Sequence, residues 1–310
     1  TKIKDGVTTE SRNGYNFGGE CLTVGGIDTE GNDVTNDLTF MLLEASAHTR
    51  MDRPWLLVRM HNKTPEELKI KVAECIRAGY GHPKIFNDKS AIPCMMRKGC
   101  SLEEAREYAV VGCVELSLPG KEYGWHDAAY INLAKMMELV VNGGRTLQGK
   151  QLSPDFGSLL TYKSYAEVWE SVEKQIEYWC DQICSTLNIL ERAHRQLKPL
   201  PYASVFFPSC VESGHDLNEG GAIYNGTGPQ GAGIASCTDM LCTIKQLMFD
   251  EKKYTGEQLL KAIKDNWVGH ETLYHLINGP KVHHYGNDDD YADEIFKNIF
   301  ECYCRHMTGR

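Results

Sequence analysis

The chain has 310 residues, 42% of them hydrophobic, and 42 acidic against 33 basic side chains give a formal charge of −9. That balance, with no Lys/Arg-rich run, argues against a surface that neutralises nucleic-acid phosphates, and no apolar run approaches a membrane span or the core of a signal peptide. Twelve cysteines dispersed through a long chain fit reduced thiols in a cytoplasmic protein better than a disulfide scaffold. The expectation is a globular protein of one large or two ordinary domains, with no nucleic-acid partner and no membrane association.

Residues 1 to 20 are polar and Gly-rich and begin without Met, which points to a start that is not the natural one. Leu22 to Val24 predicts a strand closed by Gly25-Gly26, and Leu38, Met41, Leu42 and Ala45 fall at helical spacing within residues 33–50. Trp55 to Met60 predicts a second strand. Thr64-Pro65-Glu66-Glu67 has the pattern of a capping box with Pro at the first helical position, and the helix should end near Gly79 or Gly81. Ser101-Leu102-Glu103-Glu104 is a second capping box, opening a short helix.

Beyond that helix, residues 110–116 are apolar and partly β-branched and are followed by Gly/Pro punctuation, so they predict a short buried strand running into a loop. Cys113 and Glu115 are two apart, which on a strand puts thiol and carboxylate on one face. Spacing alone leaves two readings open: a reactive pair, or a small buried Cys beside a Glu that turns to water.

Ala129, Leu133, Met136 and Val140 then mark a helix stopped by Gly143-Gly144, and Ser164 with Glu167 caps a much longer one reaching about Leu197, ended by Pro199 and Pro201. Residues 204–207 predict a strand. Helices are predicted from about Gly233 to Phe249, from Thr255 to Trp267 and from Tyr291 onward. Long helices alternating with short buried strands give an α/β class with the strands inside.

Three patterns are set aside. Gly226-Thr227-Gly228-Pro229-Gln230-Gly231 matches a dinucleotide-binding spacing, but no strand signal precedes it and Pro229 removes an amide from its centre, so a tight loop is expected. His270 and His275 are five apart, roughly 140° around a helix, which defeats joint metal binding. Asp288-Asp289-Asp290 predicts a solvated loop and N-cap. The cysteine spacings supply no four-ligand set, so neither a metal nor an iron–sulfur cluster is expected.

The stretch Gly112-Cys113-Val114-Glu115, with Pro119-Gly120-Lys121 and Gly124-Trp125-His126-Asp127 after it, resembles the active-site loop of glycyl radical enzymes. Within them it is similar to the G-C-V-E eliminases rather than to pyruvate formate-lyase proper, whose site has adjacent cysteines. The likeness runs from Leu22-Thr23-Val24-Gly25-Gly26 through Thr35-Asn36-Asp37-Leu38 and Phe86-Asn87-Asp88 to the Gly-rich stretch 226–233. It implies that residues 1–310 are a portion of the ten-stranded α/β barrel with long surrounding helices, part of a single domain. The N-terminal portion and the C-terminal glycyl radical domain would be absent, since no Arg-Val-x-Gly-Tyr loop occurs before Arg310.

The resemblance further implies Cys113 as the thiyl radical, at the tip of a loop with its thiol in a cavity, and Glu115 as the partner base. Asp127 would bind a substrate hydroxyl. His126 is a substrate contact or a helix residue, Tyr130 a pocket wall or core residue, and Phe17 or Tyr15 the family's upstream aromatic. The implied reaction is dehydration of a small vicinal diol such as glycerol or propane-1,2-diol. Hydroxyproline dehydration is the nearest alternative, followed by choline trimethylamine-lyase and formate acetyltransferase chemistry. No cofactor would bind these residues directly. The glycyl radical would be installed by a radical-AdoMet iron–sulfur activase, the complete enzyme would be a homodimer, and residues 1–310 alone would be inactive. The competing class is a non-catalytic remnant.

Overall fold

The computed structural model describes residues 21–51 and 54–308. By their internal contacts the described residues form two compact units, the first within residues 21–124 and 199–225, the second within 125–198 and 226–308.

The first unit opens with β1 (Cys21–Gly25), α1 (Asp37–Thr49), β2 (Trp55–Met60), α2 (Glu66–Arg77) and β3 (Lys84–Asn87). The three strands pair in parallel in the order β1-β2-β3, with Cys21 opposite Trp55 and Leu57 opposite Lys84. Parallel pairing requires a crossover, and α1 and α2 supply the two. Both faces of β2 are buried. Leu56 and Val58 pack with Leu43, Leu68 and Val72 from the two helices, while Leu57 packs with Ala91, Met95, Tyr108 and Val110. Alternate residues of one strand thereby enter two different cores, which is why Leu56, Leu57 and Val58 are apolar in succession.

The second of those cores is completed by α3 (Asp88–Arg97), α4 (Leu102–Arg106), β4 (Ala109–Val111) and β5 (Glu115–Ser117). The capping box at α4 is present in full: Ser101 Oγ accepts from Glu104 N, and Glu104 Oε2 accepts from Ser101 N. The one expected at α2 is absent. Thr64 Oγ1 instead accepts from His61 N at 2.8 Å, and Pro65 precedes the helix with no side-chain cap.

The chain continues with β6 (Glu122–Asn132), α5 (Leu133–Val141) and the 33-residue α6 (Tyr165–Leu197). The helix expected from Ala129 starts only at Leu133, because Asn132 caps it by accepting from Lys135 N, and Ala129 to Asn132 extend the strand before it. The strand expected at residues 204–207 is instead α7 (Pro201–Ser204), a turn, and the start of α8 (Pro208–Ser213). Pro201 presets the first helical turn, Ser204 Oγ donates back to Leu200 O at 2.8 Å, and Val205 and Phe206 stay exposed.

The stretch expected to be a tight loop is β7 (Tyr224–Ala232), paired with β6 in a two-stranded sheet. It leads into α9 (Ile234–Ile244), a π-helical turn over Lys245–Asp250, α10 (Gly256–Lys264), α11 (Glu271–Ile277) and α12 (Asp290–Met307). Asp289 caps α12, as the Asp-rich run predicted. In the second unit Met136, Val140, Val172, Ile176, Leu241 and Ile299 share one core. Among the described residues no helix is long and apolar enough to cross a membrane.

Candidate active site

Residues 109–117 form an antiparallel hairpin rather than one strand, with Val110 opposite Leu116 and Val111 opposite Glu115. The break falls at Gly112, whose φ of 62° lies in the left-handed region that glycine enters without a Cβ penalty. Cys113 is therefore at the tip of a three-residue turn, as expected, but it is exposed rather than enclosed in a cavity, so the expected cavity around its thiol is not found in this structure. The expected same-face alternation of Cys113 and Glu115 does not apply, because Cys113 lies within the turn and Glu115 is the first residue of β5.

The glycine also seats the carboxylate. The Glu115 carboxylate folds back over Gly112, and its Oε2 accepts from Val114 N at 2.8 Å. A Cβ on Gly112 would lie 2.7 Å from that oxygen. The carboxylate's seat is thus main chain on one side and the missing side chain of a glycine on the other.

The hairpin is fixed to the parallel sheet at three points. Val110 N donates to Thr23 Oγ1 at 3.2 Å, Cys21 Sγ donates to the Gly112 carbonyl at 3.3 Å, and Lys84 Nζ, stacked over the Trp55 ring, reaches the Cys113 carbonyl at 3.5 Å. Immediately before β4 lies a buried charge cluster. Arg59 Nε and Nη2 donate to the two oxygens of Asp88 at 3.0 and 2.9 Å, Tyr108 OH donates to Asp88 Oδ1 at 2.7 Å, and Arg59 Nη1 donates to Tyr108 O at 2.9 Å. All three residues are at most 5% exposed. Burial and the Asp88 carboxylate push the Tyr108 hydroxyl pKa upward, so it remains a donor. A fork-to-fork Arg–carboxylate pair is a geometrically specific contact, and here it joins β2, the first turn of α3 and the entry to the hairpin.

In the second unit, His126, Asp127 and Tyr130 lie on β6. Asp127 is exposed, and its Oδ1 accepts from Tyr130 OH at 3.0 Å and from Gln230 Nε2. Gln230 Nε2 also lies 3.5 Å from the His126 carbonyl. His126 is half-buried on a strand, not on a helix. Tyr130 is 59% exposed and so is not a core residue, and it borders a cavity of about 470 Å³ with Met136, Trp179 and Leu187 that includes neither Cys113 nor Asp127. Phe17 and Tyr15 lie outside the described residues. The structure therefore groups Cys113 with Glu115 on one element, and Asp127 with Tyr130 on another.

Sequence reasoning overlooked Arg59, Asp88, Tyr108, Lys84 and Gln230. Gln230 lay inside a motif set aside as a loop. For the buried cluster the available signal was an Arg inside an apolar strand, which almost never occurs without a partner. His270 is a helix-flanking residue 3.1 Å from Asp265. Among the described residues no three His, Cys, Asp or Glu side chains converge as a metal site.

The family model described as pyruvate formate lyase-like matches residues 1–310. The chain is 67% identical over 311 residues to the (2S)-3-sulfopropanediol dehydratase of Klebsiella oxytoca, covering 100% of this chain and 38% of that protein. It is 34% identical over 290 residues to the trans-4-hydroxy-L-proline dehydratase of Clostridioides difficile, covering 93% of this chain and 36% of that one. Among solved structures, the glycerol-bound B12-independent glycerol dehydratase from Clostridium butyricum matches with a TM-score of 0.89 and 38% identity, over 92% of this chain and 36% of that chain. The residues in hand thus span little more than a third of these proteins.

Proposed function

Because the chain belongs to the pyruvate formate lyase-like family, the glycyl radical enzymes, we propose that it carries the thiol and base of a radical dehydratase acting on a three-carbon vicinal diol, foremost one bearing a sulfonate. The observation that carries the choice of substrate is the 67% identity to a sulfopropanediol dehydratase, against 38% to a glycerol dehydratase and 34% to a hydroxyproline dehydratase. What supports the chemistry locally is the turn itself: Cys113 stands at its tip, and the Val114 amide of the same turn fixes the Glu115 carboxylate.

A glycyl radical installed by a radical-AdoMet activase would take the hydrogen atom of the Cys113 thiol, leaving Cys113 as the thiyl radical, and the unpaired electron would not be consumed. Cys113 as a thiyl radical takes a hydrogen atom from the carbinol carbon and becomes a thiol. Glu115 takes the proton of the hydroxyl on that carbon. The resulting ketyl expels the neighbouring hydroxyl, which gains one proton and leaves as water. Cys113 then returns its hydrogen atom to the substrate carbon, leaving an aldehyde and the thiyl radical. The sum is diol to aldehyde plus water, with no net oxidant. Asp127 would hold one diol hydroxyl.

The test is anaerobic assay of the complete activated polypeptide with 3-sulfopropanediol, propane-1,2-diol, glycerol, hydroxyproline, choline and isethionate. Turnover is expected to be fastest with the sulfonated diol, and turnover of hydroxyproline or choline with no diol activity refutes the reading. Cys113→Ser is expected to abolish turnover, because an O–H bond is too strong to enter the radical relay. Glu115→Gln should lower the rate by about 10² to 10⁴, the usual cost of losing a general base. Both variants should keep a full glycyl radical signal in electron paramagnetic resonance. Unaltered turnover by Cys113→Ser removes the mechanism.

A further inference from the structure

The Gly-rich stretch 226–231, which the dehydratase reading leaves without a task, lies along the strand that carries Asp127. From this placement we infer that Gln230 is a positioning residue for the diol site: together with Tyr130 it holds Oδ1 of Asp127, so that Oδ2 is presented to a substrate hydroxyl. The inference rests on the reading of Asp127 as the hydroxyl-binding carboxylate.

A carboxylate offers only acceptors, so the side-chain amide must present its nitrogen to it, and Gln230 Nε2 does so. Tyr130 OH donates to the same oxygen at 3.0 Å. With two donors on Oδ1, rotation about the Cβ–Cγ bond of Asp127 would break both contacts. The orientation of the carboxylate is therefore set by its neighbours, although the residue is exposed.

Gln230 can reach because β7 runs unusually close to β6. A Cβ at Gly228 would sit 2.8 Å from the His126 carbonyl oxygen, so only glycine lets the backbone approach at this point. The strand is also pinned from its other neighbours. Tyr303 OH, on α12, donates to the Pro229 carbonyl at 2.7 Å, and Thr227 Oγ1 donates to Glu191 on α6. The glycines and the proline thus set the strand's distance and height, and the one long polar side chain among them points at the carboxylate. A loop built to cradle phosphates would turn its amides outward, whereas this stretch is spent on strand pairing.

A substrate hydroxyl bound by Asp127 is held in ground and transition states alike, so loosening the carboxylate raises KM more than it lowers kcat. The experiment uses the complete activated polypeptide and compares Gln230→Met, Tyr130→Phe and Asp127→Ala. Each is measured for KM and kcat with 3-sulfopropanediol and propane-1,2-diol, and for competitive inhibition by propan-1-ol, which lacks one hydroxyl. Gln230→Met has nearly the reach of the native side chain and no donor. It should raise KM by about tenfold, on the scale of one lost hydrogen bond to a charged group, keep kcat within about threefold, and shrink the preference for diol over mono-alcohol. Gln230→His restores a donor at similar reach and should recover most of the loss. The melting profile and the glycyl radical signal should match wild type, which a general loosening of the fold would not allow. If Gln230→Met does melt early, Tyr130→Phe tests the same carboxylate from the other donor.

Should Asp127→Ala weaken diol binding while Gln230→Met and Tyr130→Phe leave KM and the diol preference at wild-type values, the positioning role is wrong and the hydroxyl-binding reading stands. If Asp127→Ala changes neither quantity, the reading of Asp127 falls and the positioning role falls with it.

Discussion

Removing the Asp88 carboxylate isolates a guanidinium inside the first unit. Asp88→Ala takes both fork acceptors from Arg59 and the acceptor from Tyr108 OH, at residues that are 5%, 2% and 1% exposed for Arg59, Asp88 and Tyr108. Water cannot replace those contacts, and breaking a buried pair from one side costs about 3–5 kcal/mol. A typical domain has only about 5–15 kcal/mol in total. The assay is urea unfolding followed by circular dichroism, comparing midpoints at constant slope. A graded series separates the causes. Tyr108→Phe removes one hydrogen bond to a charge and should cost about 1.5–3 kcal/mol. Arg59→Met with Asp88→Leu removes both charges and should be milder than Asp88→Ala alone, since an apolar replacement of a buried pair is often close to neutral. An Asp88→Ala midpoint within about 1 kcal/mol of wild type, or a double variant worse than the single one, refutes the argument.

Two further outcomes concern titration. Tyr224 OH donates to Glu104 Oε2 at 2.7 Å, and this contact is the leading cause both of a Glu104 pKa below its ordinary 4.5 and of a Tyr224 pKa raised from 10.0 to about 12. Glu104 therefore contributes stability that is present above pH 4.5 and lost as pH falls through its lower folded value, whereas Tyr224 contributes stability that is present below pH 10.0 and lost as pH rises through about 12. Urea midpoints measured against pH should show Tyr224→Phe flatter than wild type at both ends, and parallel profiles would count against the contact. Burial pushes the Cys237 and Cys242 thiols up to about 12 and Cys302 to about 11, while Cys94 is exposed. Iodoacetamide at pH 8 should label Cys94 in the native protein and reach the other three only on unfolding, as read by peptide mass spectrometry. Native labelling of Cys237 at the rate of Cys94 would contradict that burial.

The elements legible in the sequence were those whose ends are written in side chains. Ser101 with Glu104 forms the capping box its spacing implies, and Ser164 caps the helix that runs to Leu197. Misreadings arose where a long-range contact decides the structure. Residues 204–207 have strand composition but no strand to pair with, and the hydrogen bonds of Ser204 to Leu200 and Asp216 make a turn instead. The stretch at Gly228 looks like a loop until β6 is placed against it. In the candidate site, Cys113 and Glu115 were singled out from their motif, but the hairpin that carries them depends on Gly112, whose left-handed φ breaks the expected strand. Gln230 and the Arg59–Asp88–Tyr108 cluster depend on partners 103 and 29 residues away, which no local pattern encodes.

The anchoring of the hairpin on β1 also bears on the order of assembly. Strands β4 and β5 are joined by a three-residue turn, and such a hairpin closes in roughly 1–10 μs. Its attachments are another matter: Val110 meets Thr23 across 87 residues and Cys21 meets Gly112 across 91. Both contacts join the hairpin to β1 across a long sequence separation, and such non-local pairing belongs to the slow, high-contact-order part of folding. The turn holding Cys113 and Glu115 is thus made early and aimed late. Its final position thus depends on a strand that lies some ninety residues earlier in the chain.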